Sequence, residues 1–560
     1  MDSNDSNGDN GGGRIDRRSF LGGATATVAA GMLLRDAVPT TLAAVSTSSG
    51  DAAAPIVETA AGKIRGARAG RVASFKGVYY GASTAGSRRF QPPLPVQPWK
   101  GVRDALQLGT RSPQAAGGLI PEVAAVDDSD QSTGEDCLCL NVWTPQASHA
   151  RKRPVMVWLH GGGYSSGSGG FKIYDGTHLA AQHDVVVVTV NHRLNAFGFL
   201  FLPDIGGAKY AQASNVGMLD IVLSLQWVHD NIGAFGGDAS NVTLFGQSGG
   251  GGKVSTLLAM PPAKGLYHRA IVMSGSAIDA VPRAAANKST QAFMAGLGLQ
   301  PTAADVDKLQ AMSVQQLVAA ASARGPGSRA LRLAPVVDGA TLPANPFDPV
   351  APAMSADVPL LVGSTQDEVG FFAGFPLDPI PESQLAARLK QTLRTSDANV
   401  QRVIAAYRKD QPGIQPIDIV EEVASDRFAW TRALTQAERK AALGAAPVYM
   451  YYFKWESPVR GGKLKAFHTL DIPFVFDNVD IGRSMTGSGK DRYALERRMS
   501  GAWAAFARSG NPNTSGLPHW PAFDAQRRAT MFLDDVCKVV DDPRHDDRVV
   551  LNSLPAQRGL

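Results

Sequence analysis

The sequence predicts an α/β domain built on a large, mostly parallel central sheet with helices on both faces. Val185 to Asn191, VVVVTVN, is an apolar run without alternation, as expected of a central strand covered on both sides. A second apolar run, Val242 to Phe245, leads into a glycine-rich turn and then a helix-compatible stretch. Between these runs, Leu219 to Ile232 has apolar residues at helical spacing. This alternation of strand and helix is typical of a parallel sheet.

Length and composition are those of a globular protein, with 560 residues, 44% hydrophobic content and a net charge of +5. Basic side chains are interleaved with acidic ones, so nucleic acid is not expected as a partner. The cysteines Cys137, Cys139 and Cys537 are too few for a disulfide framework, and no Cys/His spacing suits a zinc site. Cys137 and Cys139 are not expected to bridge each other, because alternate strand positions point to opposite faces.

The N-terminus is unlike the rest of the chain. Met1 to Gly13 is a polar, glycine-rich run, and Arg17-Arg18-Ser19-Phe20-Leu21 precedes a moderately apolar stretch. This pattern resembles a twin-arginine export signal; the alternative is a disordered tail that contains two arginines by chance. We expect residues 1–45 to be a disordered terminus with an export signal and residues 46–560 to form one domain. The exported protein would be periplasmic or secreted. The apolar stretch is too short to remain as a membrane anchor.

Short apolar runs separated by glycines follow this segment. Ile56 to Thr59, Gly62 to Gly66 and Arg71 to Tyr80 predict an antiparallel N-terminal meander. Glu135 to Pro145 and Pro154 to His160 predict two further strands of increasing hydrophobicity.

Gly246 to Gly250 spell G-x-S-x-G directly after the run Val242 to Phe245. This is the sequence form of a nucleophile elbow, a turn so tight that its flanking positions must lack side chains. Ser248 is therefore the candidate nucleophile. The alternative is a glycine-rich turn that merely contains a serine.

A second glycine-rich loop, His160 to Tyr164, follows the predicted strand that ends at Leu159. Glycines at a strand end leave backbone N–H groups free to converge on a negatively charged oxygen. Gly162 and Gly163, together with Gly249 after the candidate nucleophile, are the predicted oxyanion hole. A plain flexible turn is the alternative for this loop.

Several long blocks resemble the type B carboxylesterase and cholinesterase family. They read GQSGGG, EDCLCLNVWTP, HGGGY and SNVGMLDIVLSLQWVHDNIGAFGGD, at Gly246, Glu135, His160 and Ser214 respectively. The resemblance runs from about Val57 to about Phe532 and implies the α/β-hydrolase fold.

The resemblance also implies the partners of the nucleophile. GSTQDEVGFF at Gly363 to Phe372 is similar to the segment that carries the family's triad acid, which corresponds to Glu368. Asp367 is the competing neighbour. AFHTLDIPFVF at Ala466 to Phe476 is similar to the segment of the triad base and implies His468. Ser274 matches a serine behind the triad, where a hydrogen-bonding role that supports Glu368 and a purely structural role are both open.

The resemblance implies a serine carboxylesterase that takes small-molecule esters and needs no metal or organic cofactor. Carbamate or amide hydrolysis by the same triad and a non-catalytic binding or adhesion module are the alternatives. The oligomeric state is left open.

Three departures from the family are specific to this chain. The cysteine that in many relatives bridges the Cys137 position is matched by Ser112, so this disulfide is expected to be absent. No aromatic residue lies between Ser112 and Cys137, which disfavours choline esters because a quaternary ammonium needs an aromatic face. Gln247 stands where animal relatives commonly have glutamate, which removes a charge beside the nucleophile without altering the triad residues. Five phenylalanines near the motifs could line an apolar pocket but are more readily explained as core: Phe197, Phe199, Phe371, Phe372 and Phe474.

Overall fold

The computed structural model describes residues 54–115, 120–127, 131–323, 331–372 and 374–554. The expected export signal within residues 1–45 lies outside the described residues. None of the helices in the described ranges is both long and apolar enough to cross a membrane.

The strands follow the predicted apolar runs closely. Val185 to Asn191, for example, contains the strand Val186–Val190. In chain order the strands are β1 (Ile56–Thr59), β2 (Gly62–Arg65), β3 (Ala67–Ala69), β4 (Val72–Tyr79), β5 (Val102–Asp104), β6 (Cys139–Thr144), β7 (Arg153–Leu159), β8 (Val186–Val190), β9 (Gly237–Gln247), β10 (Arg269–Met273), β11 (Val281–Pro282), β12 (Val336–Val337), β13 (Leu360–Thr365), β14 (Val448–Phe453), β15 (Thr530–Leu533) and β16 (Lys538–Val540).

Helices occupy most of the connections between strands. In chain order they are α1 (Pro121–Ala124), α2 (Thr177–His183), α3 (Asn195–Phe199), α4 (Val216–Asn231), α5 (Gly249–Leu257), α6 (Arg283–Gly296), α7 (Ala303–Ala311), α8 (Val314–Ser322), α9 (Glu382–Leu393), α10 (Asp397–Asp410), α11 (Pro416–Ser425), α12 (Thr431–Ala441), α13 (Ile472–Val475), α14 (Arg483–Thr486), α15 (Arg492–Ser509) and α16 (His545–Asn552).

The main sheet has 11 strands in the order β16-β15-β14-β13-β10-β9-β7-β8-β6-β4-β3. Every neighbouring pair from β15 through β8 is parallel, and the pairs at both edges are antiparallel. Of the three runs predicted as an N-terminal meander, Arg71 to Tyr80 contains β4 at the antiparallel edge β6-β4-β3. The other two runs form β1 and β2, which belong with β5 to a separate 3-stranded sheet. The mostly parallel central sheet predicted from the sequence is confirmed.

The sheet is covered on both faces, which explains why its central strands are apolar throughout. Val186 and Val188 of β8 pack into one core with α4 and α5, while Val187 packs into a second core with α2 and α15. All residues of β7 and β8 are buried. A strand that is buried on both faces gains from an apolar side chain at every position.

The cysteines are free and buried. Cys139 is the first residue of β6, whereas Cys137 lies before this strand. The hydroxyl of Ser112 accepts a hydrogen bond of 3.0 Å from the backbone N–H of Leu194. Burial raises the pKa of Cys137 well above the ordinary thiol value, so this sulfur stays protonated.

Candidate active site

Ser248 occupies the turn between β9 and α5, at the carboxyl edge of the parallel sheet. Its backbone dihedrals are φ 59° and ψ −127°, a strained conformation for a residue with a side chain. A 2.8 Å hydrogen bond from its backbone N–H to the carbonyl oxygen of Met273, the last residue of β10, fixes the turn. The sequence-predicted elbow is therefore present in the backbone geometry.

The glycines around the elbow allow a backbone approach that no side chain would permit. A Cβ atom on Gly249 would lie 2.3 Å from the carbonyl oxygen of Gly163. A Cβ atom on Gly250 would lie 1.8 Å from the carbonyl oxygen of Leu159, at the end of β7. The start of α5 thus packs directly against the glycine loop that follows β7.

That loop presents free backbone donors. Gly162 and Gly163 have φ values of 84° and 59°, in the left-handed region that glycine adopts without strain. The backbone N–H groups of Gly162, Gly163 and Gly249 donate hydrogen bonds to none of the other described residues. Three unpaired donors beside a serine are the arrangement that an oxyanion requires.

Glu368 and His468 form a buried pair next to the elbow. Nδ1 of His468 is hydrogen-bonded to Oε2 of Glu368, and both side chains are almost fully buried. The other carboxylate oxygen of Glu368 accepts a 3.0 Å hydrogen bond from the backbone N–H of Thr365, at the end of β13. These contacts orient the imidazole with Nε2 left for another partner. Within the described residues, no hydrogen bond links Ser248 to His468; such contacts are often long in unliganded sites.

Asp367, the competing candidate for the triad acid, contacts the backbone of Ala466 rather than the imidazole of His468. Its backbone N–H donates to the carbonyl oxygen of Ala466 at 3.1 Å, and its Oδ2 accepts from the N–H of Ala466 at 3.2 Å. Lys465 Nζ lies 3.8 Å from its other oxygen and 3.0 Å from Glu421. Burial and the nearby Glu421 raise the pKa of Asp367 well above the usual carboxyl range. Asp367 therefore joins the loop of Glu368 to the loop of His468.

Ser274 lies behind the site with a φ of 47°. Its Oγ accepts a 3.4 Å hydrogen bond from the backbone N–H of Thr365, the same N–H that serves Glu368. Ser274 thus shares a donor with the acid.

Two contacts of His468, and one buried acid near it, were not found from the sequence. The amide nitrogen of Gln247 lies 3.2 Å from its Nε2, so this side chain contacts the candidate base. The ring of Phe428, within a π-helical turn after α11, lies 5.4 Å from the imidazole centre. Asp471 is hydrogen-bonded by the hydroxyl of Tyr451, and burial next to Glu368 raises its pKa to about 7. A π-helical turn is often found at functional sites, but its position is not visible in a single sequence.

A cavity of about 300 Å³ opens at Ser248. Phe428 and Arg432 lie at its lining, and Arg432 pairs with Asp279 at 2.6 Å. Among the five phenylalanines considered from the sequence, Phe372 is 41% exposed whereas Phe197, Phe199, Phe371 and Phe474 are buried. Phe372 and Phe428 are therefore the exposed aromatic rings beside the imidazole.

The described ranges contain no group of three or more His, Cys, Asp or Glu residues placed to hold a metal ion. The site that they do contain is built from a strained serine, a buried carboxylate–imidazole pair and unpaired backbone donors. This set is suited to acyl transfer.

Known proteins that resemble this chain are esterases and related hydrolases. The model of the carboxylesterase family matches residues 53–548. The chain is 36% identical over 499 residues to the para-nitrobenzyl esterase of Bacillus subtilis, covering 88% of this chain and 97% of that protein. It is 31% identical over 519 residues to the phenmedipham hydrolase of Pseudarthrobacter oxydans, covering 89% and 99%. A solved carboxylesterase of Geobacillus stearothermophilus matches with a TM-score of 0.77 and 36% identity over 89% of this chain and 99% of that one. These likenesses confirm the α/β-hydrolase fold.

Proposed function

The chain belongs to the carboxylesterase family and is a serine carboxylesterase, and from this premise we propose that Ser248, Glu368 and His468 are its catalytic triad. The observation that carries the proposal is the buried Glu368–His468 pair beside the strained elbow of Ser248. The carboxylate holds one tautomer of the imidazole and stabilises its protonated form, which leaves Nε2 to act as the base.

The proposed reaction has two halves. His468 Nε2 takes the hydroxyl proton of Ser248 while Oγ attacks the ester carbonyl carbon. The tetrahedral intermediate then expels the alcohol, which leaves with the proton held by His468, and an acyl-serine ester remains. Water attacks this ester in the same manner, so that the carboxylic acid is released and the serine hydroxyl is restored.

The negative oxygen of each tetrahedral intermediate would be bound by the N–H groups of Gly162, Gly163 and Gly249. Support comes from their unpaired state within the described residues and from the contact between Gly249 and Gly163. Donors fixed before the reaction stabilise the developing charge without reorganisation, and each one is worth roughly 3–4 kcal/mol.

The proposed substrates are uncharged esters of small molecules with an apolar or aromatic group. The exposed rings of Phe372 and Phe428 stand beside the imidazole, and the cavity at Ser248 is also lined by Ala277, Ala280 and Pro335. A preformed, mainly apolar wall of this kind selects substrates by shape and hydrophobic contact. A relative that is named a para-nitrobenzyl esterase is consistent with this class.

The test of the nucleophile is covalent labelling with a small organophosphate, followed by peptide mass spectrometry. We expect one adduct per chain, on Ser248, and loss of esterase activity in proportion to labelling. Ser276→Ala is the matched control because Ser276 lines the same cavity, and this variant should label as the wild type does. Labelling of Ser248→Ala at the wild-type rate would rule out Ser248 as the nucleophile.

We also propose that the chain is exported to the periplasm or secreted. Arg17-Arg18, followed by Phe20-Leu21 and a moderately apolar stretch, supports a twin-arginine signal, with no stable membrane anchor after its removal. The full-length chain should be recovered from the periplasm or medium of a host with this pathway. The double variant Arg17→Lys, Arg18→Lys should stay in the cytoplasm; equal export of both chains would contradict the proposal.

A further inference from the structure

Lys253 is a buried lysine close to the nucleophile that the proposed reaction does not use. It lies in α5, the helix that begins directly after Ser248, and its relative exposure is 0%. Lysine is rarely fully buried, because removing an ammonium group from water is costly unless it is well paired. Its contacts therefore call for an explanation.

Lys253 contacts the glycine loop from His160 to Tyr164, which contains the proposed oxyanion donors Gly162 and Gly163. Its Nζ donates a 2.9 Å hydrogen bond to the carbonyl oxygen of His160, the residue that opens this loop after β7. Nζ also lies 5.9 Å from the centre of the Tyr164 ring, at the other end of the same loop. One side chain thus spans the segment that contains Gly162 and Gly163.

The groups that face Lys253 do not neutralise it. The imidazoles of His160 and His192 stack at 5.1 Å, and the pKa of each is lowered well below its usual value by burial and by Lys253. Burial raises the pKa of Tyr164 to about 12, and Arg193 lies beyond His192. Burial alone lowers the pKa of Lys253 to about 7. Within the described residues, Nζ of Lys253 is therefore hydrogen-bonded to a backbone carbonyl and forms no ion pair with a carboxylate.

The loop needs such support because its glycines are intrinsically free to move. Gly162 and Gly163 adopt left-handed conformations, and glycine loses more conformational freedom on ordering than any other residue. Catalysis requires the donors to be in place before charge develops. A fixed carbonyl at His160 ties the start of the loop to α5, the helix that also carries the third donor, Gly249.

We infer that Lys253 is a positioning residue for the oxyanion hole: by holding the carbonyl of His160 it fixes the N–H groups of Gly162 and Gly163 relative to Ser248. This inference rests on the proposed triad and oxyanion hole. It assigns a role in transition-state stabilisation rather than in substrate binding. The alternative is a lysine that merely fills the core.

The test compares the wild type with Lys253→Met, which keeps an unbranched side chain as far as the ε atom and removes the amine. We expect kcat for a nitrophenyl ester to fall by about 10- to 100-fold while KM changes by less than about 3-fold. Affinity for a trifluoromethyl ketone, whose adduct with the serine carries the oxyanion, should fall by at least about 10-fold. Lys253→Gln, whose nitrogen is one atom closer to the backbone, should show the same split and guards against failure of one variant to fold.

Lys440→Met is the matched control. Lys440 is also buried and also donates to backbone carbonyls, those of Ser355 and Ala356, which belong to no part of the candidate site. This variant should leave kcat, KM and ketone affinity unchanged, whatever it does to stability.

Folded Lys253 variants with kcat and ketone affinity within about 2-fold of the wild type would overturn the inference. An equal loss in Lys440→Met would do the same, because it would show a general effect of removing a buried lysine. Failure of the proposed function would look different: the wild type itself would lack esterase activity or would not depend on Ser248.

Discussion

The side-chain amide nitrogen of Gln247 lies 3.2 Å from Nε2 and 3.3 Å from Nδ1 of His468. Nearly equal distances to both ring nitrogens place the amide against the imidazole rather than in line with one nitrogen. Gln247 also precedes Ser248 in the chain, so the elbow touches the proposed base through this side chain. An uncharged amide here leaves Glu368 as the carboxylate paired with the ring.

Replacing Gln247 by glutamate places a second negative charge beside His468. A nearby carboxylate favours the protonated imidazole. As the pH is lowered, the imidazole of the variant therefore becomes protonated, and stops acting as a base, at a higher pH than in the wild type. We expect the acidic limb of the kcat/KM profile of Gln247→Glu to move to higher pH by about 0.5–1.5 units. Gln247→Met serves as the uncharged control and should keep the wild-type limb. An unmoved limb in Gln247→Glu would contradict the contact.

Substitution of Glu368 should lower kcat far more than substitution of its neighbour Asp367. Glu368→Gln removes the charge that stabilises the protonated His468, and kcat should fall by about 10²- to 10⁴-fold. Asp367→Asn should stay within about 5-fold, because Asp367 contacts the backbone of Ala466 rather than the imidazole. Steady-state kinetics on one nitrophenyl ester measures both. A greater loss in Asp367→Asn than in Glu368→Gln would reverse the assignment.

Phe428 should select for aromatic esters. Its side chain is 37% exposed, lines the cavity at Ser248 and contacts the imidazole. Phe428→Ala removes apolar and aromatic contact area, so kcat/KM for a benzyl ester should fall about 5-fold more than for the ethyl ester of the same acid. The ratio between the two esters separates substrate contact from any shift of His468. Phe532→Ala, on β15, is the control; an unchanged ratio in Phe428→Ala would argue against the aromatic wall.

The burial of Lys253 should make the free energy of unfolding depend on pH. Because its pKa is lowered to about 7 from the ordinary 10.5, the unfolded chain binds more protons than the native one between these pH values. The free energy of unfolding of the wild type therefore increases as the pH rises from about 7 to 10.5. Below about pH 7, Lys253 is charged in the native state, and the buried charge destabilises the fold. The stability advantage of Lys253→Met should be largest at pH 6 and should narrow by on the order of 4 kcal/mol towards pH 10.5.

Urea unfolding at pH 6, 7.5, 9 and 10.5 measures this difference. Lys440→Met is again the comparison, and its narrowing should begin higher, because the pKa of Lys440 is lowered only to about 8. A difference between wild type and Lys253→Met that stays constant with pH would show that Lys253 ionises as an exposed lysine does.

The strands and the elbow could be predicted because their signals are local. Apolar runs identify β7, β8 and β9, and G-x-S-x-G specifies the turn at Ser248 through the absence of side chains around it. The resemblance to the family added Glu368 and His468, which lie 100 residues apart in the chain and share no local signal.

The rest of the site depends on tertiary contacts that one sequence does not reveal. Phe428 reaches His468 because a π-helical turn follows α11. Lys253 lies within a helix-compatible stretch, where a lysine would ordinarily face solvent. Gln247 was known from the motif, but the direction of its side chain follows from where the loop of His468 packs.

The most direct measurement is hydrolysis of nitrophenyl esters from acetyl to decanoyl by the wild type and by Ser248→Ala in parallel. We expect activity in the wild type and a loss of at least about 10⁴-fold in kcat/KM for every ester in the folded variant. Circular dichroism confirms that both proteins are folded. Substantial hydrolysis by Ser248→Ala, or none by the folded wild type on any ester of the series, would contradict Ser248 as the nucleophile of a general carboxylesterase.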